Sequence, residues 1–166
     1  MTGILLLFFA AVWFALAVAM AYAFAWKIKN SLLRSVVAVT VFGVLLVLPV
    51  IDELIGKQQF ESLCKKYAIV KIDEQHARDR RVLSTLRKED QFAEGTAVPI
   101  RIDPYTYRDA ETDEVIVSYH TLHADGGWLI RALGISETNA PLLFKSGCAP
   151  EDRYAFKKKF NITIVN

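Results

Sequence analysis

Two long apolar stretches joined by a short basic segment fill the first 51 residues, and they constrain this chain more than any other feature. The first, Gly3–Ala25, is 23 residues long and carries no charge. At about 1.5 Å of rise per residue, a helix of this length spans the roughly 30 Å hydrocarbon core of a bilayer. Backbone amides in lipid must bond within their own segment, so the stretch is expected to be helical.

The second apolar stretch covers residues 36–51 and is 16 residues long. It reaches about 20 residues, enough to cross a bilayer, when 31–35 are added and Arg34 extends its guanidinium to the headgroups. Pro49 lies in its last turn and is expected to bend the end of the helix. The sequence predicts a two-helix transmembrane hairpin over residues 1–51, with spans at about 3–25 and 32–51 and a basic loop at 26–34.

Each stretch has a competing interpretation. The first resembles a cleaved signal peptide, because Ala21-Tyr22-Ala23 and Ala23-Phe24-Ala25 are small-x-small sequences. However, it lacks a charged segment before the apolar run, and the run exceeds the usual length of about 7–15 residues. The second stretch would suit a buried helix of a soluble protein, but the rest of the chain is too small to cover it. A spanning hairpin is the better interpretation.

Charge predicts the orientation of the hairpin. Three basic residues and no acidic residue lie between the spans: Lys27, Lys29 and Arg34. Asp52 and Glu53 begin the segment after the second span. Short positively charged loops stay in the cytoplasm, so the polar segment 52–166 is expected on the other side. In a Gram-negative bacterium, this describes a multi-pass inner-membrane protein with a periplasmic C-terminal domain.

The polar segment 52–166 is long enough for one domain with a modest core and too short for two. It holds all 18 acidic residues and 17 of the 20 basic ones, which leaves it nearly neutral. Five cations cluster within it, at Arg78, Arg80, Arg81, Arg87 and Lys88. Acidic residues are interleaved with them and no aromatic residues alternate, so we expect a solvated surface and no nucleic-acid partner.

The two cysteines, Cys64 and Cys148, both lie in the polar segment. In an oxidising compartment, an even pair on one side of a membrane is a candidate disulfide. Two unrelated buried thiols are the alternative, since cysteine also behaves as a small hydrophobe. The orientation argument favours the disulfide.

Periodicity predicts an α+β domain with an antiparallel sheet. Residues 52–67 have helical spacing, with Phe60, Leu63, Cys64 and Tyr67 on one apolar stripe. Alternating apolar residues from Ala97 to Leu122 predict a β-hairpin with an acidic loop. Gly126-Gly127 permits positive φ and predicts a turn before a returning strand at Trp128–Leu133. Residues 82–86 suit either a short helix or an edge strand, and 161–165 suit a strand that pairs onto the sheet.

Only one cluster has metal-ligating residue types: His120, His123 and Asp125. Strand positions three apart point to opposite faces, so the two imidazoles converge only if the chain turns at His123. His76 would have to complete a three-ligand site. A surface strand histidine and a turn histidine are the simpler interpretation, and we predict no metal and no cofactor.

No nucleophile motif is present, since Ser146-Gly147-Cys148 resembles an elbow only superficially and a disulfide would occupy Cys148. Four aromatic residues lie on the predicted strands: Tyr105, Tyr107, Tyr119 and Trp128. Aromatics at a period of two are usually core or cross-strand pairs, but exposed ones would anchor a protein-binding surface.

Without catalytic residues, the anchored domain is expected to bind a protein partner, as an accessory subunit of an envelope complex or as an immunity or exclusion protein. The alternatives are an envelope hydrolase or metal-dependent enzyme using His120, His123 and Asp125, and a ligand sensor without a cytoplasmic output domain. Small residues in the first span permit close packing on the second span, on a copy of itself in a homo-oligomer, or on another protein.

Overall fold

The computed structural model describes residues 2–86, 91–134 and 139–165. It begins with two helices, α1 (Thr2–Ala25) and α2 (Ser31–Val47), which pack against each other. A 3-10 turn, Leu48–Val50, joins α2 to α3 (Ile51–Tyr67). By length and composition, α1 and the segment Ser31–Tyr67 are each able to cross a membrane.

Small residues form the contact between α1 and α2. Ala17, Ala21 and Ala25 recur at every fourth position and are buried, which lets the two backbones approach closely. At the connection, the side chain of Asn30 accepts hydrogen bonds from the N–H groups of Leu32 and Leu33 and so caps α2. The hairpin is therefore held by close helix packing and closed by a capped turn.

Pro49 leaves one backbone acceptor of α2 without its usual donor. In an α-helix the carbonyl of Leu45 accepts from the N–H four residues later, but proline has none. The indole Nε1 of Trp13 on α1 donates to this carbonyl at 2.8 Å. An apolar environment requires such a replacement, because no water is present to satisfy the acceptor.

The rest of the described chain forms a mixed sheet with two short helices. The helices are α4 (Trp128–Leu133) and α5 (Ala155–Phe160). The strands are β1 (Lys71–Ile72), β2 (Arg81–Leu86), β3 (Gln91–Phe92), β4 (Ile100–Asp109), β5 (Val115–Ala124), β6 (Gly147–Cys148) and β7 (Thr163–Val165).

The hairpin of β4 and β5 is the centre of the sheet and confirms the predicted one. β2 and β3 pair with β4, while β1 and β6 pair with β5. β7 pairs with β2 in parallel, so the prediction of a purely antiparallel sheet is wrong. The predicted terminal strand is confirmed. Because it pairs with β2, β2 is an interior strand and is neither the short helix nor the edge strand that the sequence of residues 82–86 suits.

Each face of the sheet has its own core. On one face, α3 packs Phe60, Leu63 and Tyr67 against Ile100 and Leu122, so the predicted apolar stripe of this helix is confirmed. On the other face, α5 packs Phe156 and Phe160 with the central strands. Side chains alternate between the faces of a strand, which explains how one hairpin serves two cores.

A disulfide joins Cys64 on α3 to Cys148 on β6, with 6.1 Å between their Cα atoms. It closes a separation of 84 residues and fastens α3 to a strand at the side of β5. On the chain-entropy model, a closure of this length stabilises the fold by about 4 kcal/mol.

The predicted strand at Trp128–Leu133 is wrong, because this segment is helix α4. Neither Gly126 nor Gly127 is among the described glycines with positive φ. A Cβ at Gly127 would lie 2.5 Å from the Asp52 carboxylate, and one at Gly126 would lie 2.8 Å from Ile130. Both glycines are therefore needed for close approach, which a local pattern does not reveal.

Gly56 on α3 gives a test of this packing. A Cβ there would lie 2.6 Å from Cγ2 of Val98, which is buried. We expect Gly56→Ala to destabilise the protein by about 1–3 kcal/mol through overpacking, although alanine favours helix by about 1 kcal/mol. Thermal unfolding in detergent micelles measures the change.

Gly43→Ala is the matched control, because a Cβ at Gly43 in α2 meets no atom within 4 Å. It should be neutral or stabilising. In a Val98→Ala background, the loss of unfolding free energy caused by Gly56→Ala should shrink or change sign, because the two methyl groups that clash with the new Cβ are gone. An equal cost in both backgrounds would contradict the packing explanation.

Candidate functional site

A row of side chains crosses one face of the sheet, opposite the face that α3 covers. Phe92 on β3 lies opposite Arg101 on β4, Arg101 opposite His123 on β5, and His123 opposite Gly147 on β6. Residues paired in register project from the same face, so the four positions form a continuous line. The register of the central hairpin thus brings an aromatic ring, a guanidinium and an imidazole together.

This end of the face carries a cleft of about 380 Å³, lined by Phe92, Arg101, His123, Ala124, Asp125 and Ser146. The opposite face is covered by α3, and the far end of the same face is covered by α5, where Tyr107 meets Phe156 with 5.2 Å between ring centroids. Helix α5 is only six residues long and does not extend over the row. We call the surface of Phe92, Arg101 and His123 the polar row.

Polar and aromatic groups are accessible along the polar row. Phe92 is 55% exposed, which is unusual for a ring on a sheet face. Arg101 keeps 43% of its side chain exposed, and its Nε lies 3.1 Å from a carboxylate oxygen of Asp103. Beside them, the buried hydroxyl of Thr121 has no hydrogen-bond partner within the part of the chain that the structure describes. The polar row is suited to contacts that combine apolar area with charge.

The weak metal candidates do not converge. β5 continues to Ala124 without turning at His123, so His120 points to the opposite face, where its ring contacts Tyr67 at 5.9 Å. Burial, and to a lesser extent Lys71, lowers the pKa of His120. His123 and Asp125 do line one cleft. Across residues 2–86, 91–134 and 139–165, no group of three histidine, cysteine or acidic residues is placed to hold a metal ion.

His76, the third imidazole considered, is engaged elsewhere. Its Nδ1 lies 2.9 Å from a carboxylate oxygen of Asp73 in an exposed pair. The hydrogen bond to Asp73 raises the pKa of His76, and the same bond lowers the pKa of Asp73. His76 is therefore paired with Asp73.

Two of the four aromatic residues on the predicted strands belong to the core, which is the interpretation that their period-two spacing favours. Tyr107 and Tyr119 are buried, with hydroxyl oxygens 3.5 Å apart, and the ring of Tyr105 stacks on Tyr119 with 5.3 Å between centroids. Burial, followed by the hydrogen bond to Tyr107, raises the pKa of Tyr119. Trp128 is exposed, but it lies on α4 at the start of α3. Whether aromatic residues that alternate along a strand are exposed depends on which face of the sheet a helix covers. Helix α5 covers the part of the face that carries Tyr107 and Tyr119.

Two acidic residues at the start of α3 hold two distant loops. The Asp52 carboxylate accepts hydrogen bonds from the N–H of Trp128 at 2.5 Å and from the N–H of Glu53 at 2.9 Å. Because Trp128 begins α4, Asp52 supplies the cap that this short helix lacks in its own sequence. The positive end of the helix dipole also favours a carboxylate there.

Glu53 is buried and accepts three backbone hydrogen bonds. Its Oε1 takes the N–H of Gly127 at 3.0 Å, and its Oε2 takes those of Leu142 and Leu143 at 2.9 and 3.0 Å. All three partners are donors, which matches the acceptor-only chemistry of a carboxylate. We call Asp52 and Glu53 the acidic clamp, since together they join α3 to segments 74 to 90 residues away.

The residues used for orientation surround the hairpin turn. Lys27 and Lys29 are exposed, and the guanidinium carbon of Arg34 lies 5.7 Å from the ring centroid of Tyr22. Their positions are compatible with headgroup contact, and the orientation that they favour stays a prediction. Of the charged cluster, Arg80 lies 3.4 Å from the buried Asp109, while Arg87 and Lys88 fall outside the described residues.

The sequence does not predict Phe92 or Arg101 as site residues, and Ser146 enters it only through a superficial elbow motif. Asp52 and Glu53 are recognised there only as the first residues after the second span. No local pattern connects Phe92, Arg101 and Gly147, because each comes from a different strand. One signal was present: two adjacent acids directly after an apolar helix, with a Gly-Gly pair elsewhere in the chain. Such acids must find donors if the helix end is covered by protein.

No family model, curated protein or solved structure matches this chain. Ser146, His123 and Asp125 line the cleft at the polar row, but no hydrogen bond links these side chains within the described residues. The arrangement supports binding more directly than nucleophilic catalysis, which needs a base beside its nucleophile.

The acidic clamp predicts a sensitive site. In Glu53→Gln, the amide offers one acceptor oxygen, and its NH₂ group must face a backbone N–H donor. We expect a loss of about 1.5–3 kcal/mol in unfolding free energy, because hydrogen bonds to a charged group are lost in a buried site. Thermal unfolding in micelles measures the loss, and faster amide exchange at Leu142 and Leu143 would locate it.

Glu61→Gln makes the same chemical change on the exposed side of α3 and serves as the control. It should change stability by no more than about 0.5 kcal/mol. Equal effects of the two substitutions would show that Glu53 does not hold the loops.

Proposed function

We propose that this protein is a membrane-anchored binding protein whose polar domain recognises a protein partner outside the cytoplasm. The hairpin of α1 and α2 spans the bilayer, with Lys27, Lys29 and Arg34 on the cytoplasmic side. In a Gram-negative cell, the domain lies in the periplasm beneath the outer membrane. The length and composition of the two helices and the charge of their connection support this placement.

The exposed polar row is the observation that carries the proposal. Aromatic residues and arginine are enriched in protein interfaces, and Phe92 and Arg101 are adjacent on neighbouring strands. When a partner binds, the ring of Phe92 would be buried and supply apolar contact area. The guanidinium of Arg101 would pair with a carboxylate of the partner. The favoured partner surface therefore presents an acidic side chain beside an apolar one.

The attachments of α3 to the rest of the domain support the same function. The acidic clamp fastens α3 to α4 and to residues 142–143, and the disulfide fastens α3 to β6, so the sheet that carries the polar row is held against this helix. A binding surface held in this way loses little conformational entropy on association. This suits an accessory subunit, or an immunity or exclusion protein, that meets its partner at the membrane.

Photo-cross-linking tests the partner surface. With benzoylphenylalanine in place of Phe92 in intact cells, we expect a discrete adduct that is lost when Arg101 is changed to alanine. The control places the same probe at Tyr154, an exposed aromatic residue away from the cleft. Equal adducts at both positions, or none at Phe92, would contradict the assignment of the polar row.

The disulfide tests the orientation. In intact Gram-negative cells, we expect a polyethylene-glycol maleimide to label Cys64 and Cys148 only after a membrane-impermeant reductant is added. Labelling that requires permeabilisation of the inner membrane and no reductant would place the domain in the cytoplasm. The Cys148→Ala variant leaves one thiol and controls for the number of labels added.

A further inference from the structure

Helix α3 has two different sides at its beginning. Glu53, Gly56 and Phe60 are buried and face the domain. Ile51, Leu54 and Ile55 recur at spacings of three and four, so they share the outer side, and each is between 44% and 48% exposed. The first turn of α3 therefore presents branched aliphatic side chains away from the protein.

The acidic clamp brings more apolar side chains to this level. Asp52 holds Trp128, and Glu53 holds Leu142 and Leu143, by bonds to their backbone N–H groups. Their side chains are left 42% to 44% exposed. We call these six residues the apolar collar: Ile51, Leu54, Ile55, Trp128, Leu142 and Leu143.

The position of the apolar collar along the chain indicates what covers it. About 20 helical residues span the hydrocarbon core, so a bilayer entered at Ser31 ends near Ile51. Residues 51–55 rise by only about 6 Å, which confines the apolar collar to the interfacial layer. Tryptophan prefers this depth, and Trp128 lies there.

The apolar collar also continues an apolar surface. Val44, Val47 and Leu48 at the end of α2 are exposed and meet the lipid tails in the proposed topology. Ile51 and Ile55 extend this surface beyond the 3-10 turn without a charged residue on the exposed side. Helix α4 lies beside the same turn and adds Trp128 at its first position.

We propose that the apolar collar inserts into the headgroup layer of the bilayer that holds the hairpin, so the polar domain rests on the membrane surface. The proposal rests on the membrane topology proposed above. It does not depend on which side of the membrane the domain occupies.

Depth-dependent quenching tests the apolar collar. The full-length protein, with its disulfide intact, is labelled with the fluorophore NBD at a new cysteine and reconstituted in vesicles of phosphatidylcholine with a minority of phosphatidylglycerol. The quencher is a phosphatidylcholine with a doxyl group near the glycerol backbone. Leu143→Cys reports on the loop, and Ile55→Cys reports independently on α3, where a helix-surface substitution preserves the backbone.

Two further positions separate failure of the apolar collar from failure of the proposed topology. Val44→Cys probes the exposed surface of α2, seven positions before Ile51. Ala110→Cys probes the exposed turn between β4 and β5, at the far end of the domain. The first should be quenched by lipid, and the second should not.

We expect quenching at Leu143→Cys and Ile55→Cys at least about two-fold stronger than at Ala110→Cys, with emission shifted to the blue, as interfacial insertion requires. Quenching at Val44→Cys alone would overturn the apolar collar and leave the hairpin in the bilayer. A blue shift at the two collar positions without quenching would show that protein covers them, and would also overturn it. No quenching at Val44→Cys would overturn the spanning hairpin and the apolar collar together.

Discussion

Four backbone N–H groups, all distant in sequence, donate to the carboxylates of Glu53 and Asp52. The packing of α4 and residues 142–143 against the start of α3 depends on these bonds. A buried carboxylate is tolerated only when donors replace its water, and each loop here supplies donors that would otherwise lack acceptors. The bonds are therefore mutually required. They place α4 and residues 142–143 against the start of α3, and they leave the side chains of these segments facing outward as part of the apolar collar.

In the hairpin of α1 and α2, a backbone acceptor without its usual donor is also satisfied by a distant residue. Pro49 frees the carbonyl of Leu45, and Trp13 supplies the missing donor from the neighbouring helix. Ala17 and Ala21 allow the approach that this bond needs. Pro49 lies in the 3-10 turn between α2 and α3. In the proposed topology this turn lies at the edge of the bilayer, directly before the acidic clamp. The 3-10 turn, the indole of Trp13 and the two carboxylates all lie close to the junction between α2 and α3 or bond to residues beside it.

Helices cover the two faces of the sheet to different extents. Helix α3 covers one face, and the disulfide fastens it there. Helix α5 covers only part of the other face, so Tyr107 and Tyr119 become core while Phe92 and Arg101 remain accessible. The length of α5 therefore decides where the core stops and the polar row starts. In the proposed function, the apolar collar fixes the height of this row above the membrane.

The sequence by itself determined the apolar helices, the helix over 52–67, the central hairpin and the pairing of Cys64 with Cys148, because each follows from local periodicity or from a single pair of residues. It did not determine Trp128–Leu133, whose apolar pattern suits strand and helix equally until Asp52 caps its first N–H. The coverage of Tyr107 and Tyr119 by α5 and the assembly of the polar row from three strands were likewise decided by tertiary structure. The physical reason is common to all of them: strand register and helix coverage are set by contacts between residues far apart in the chain, and local spacing carries no record of which face such a contact will bury.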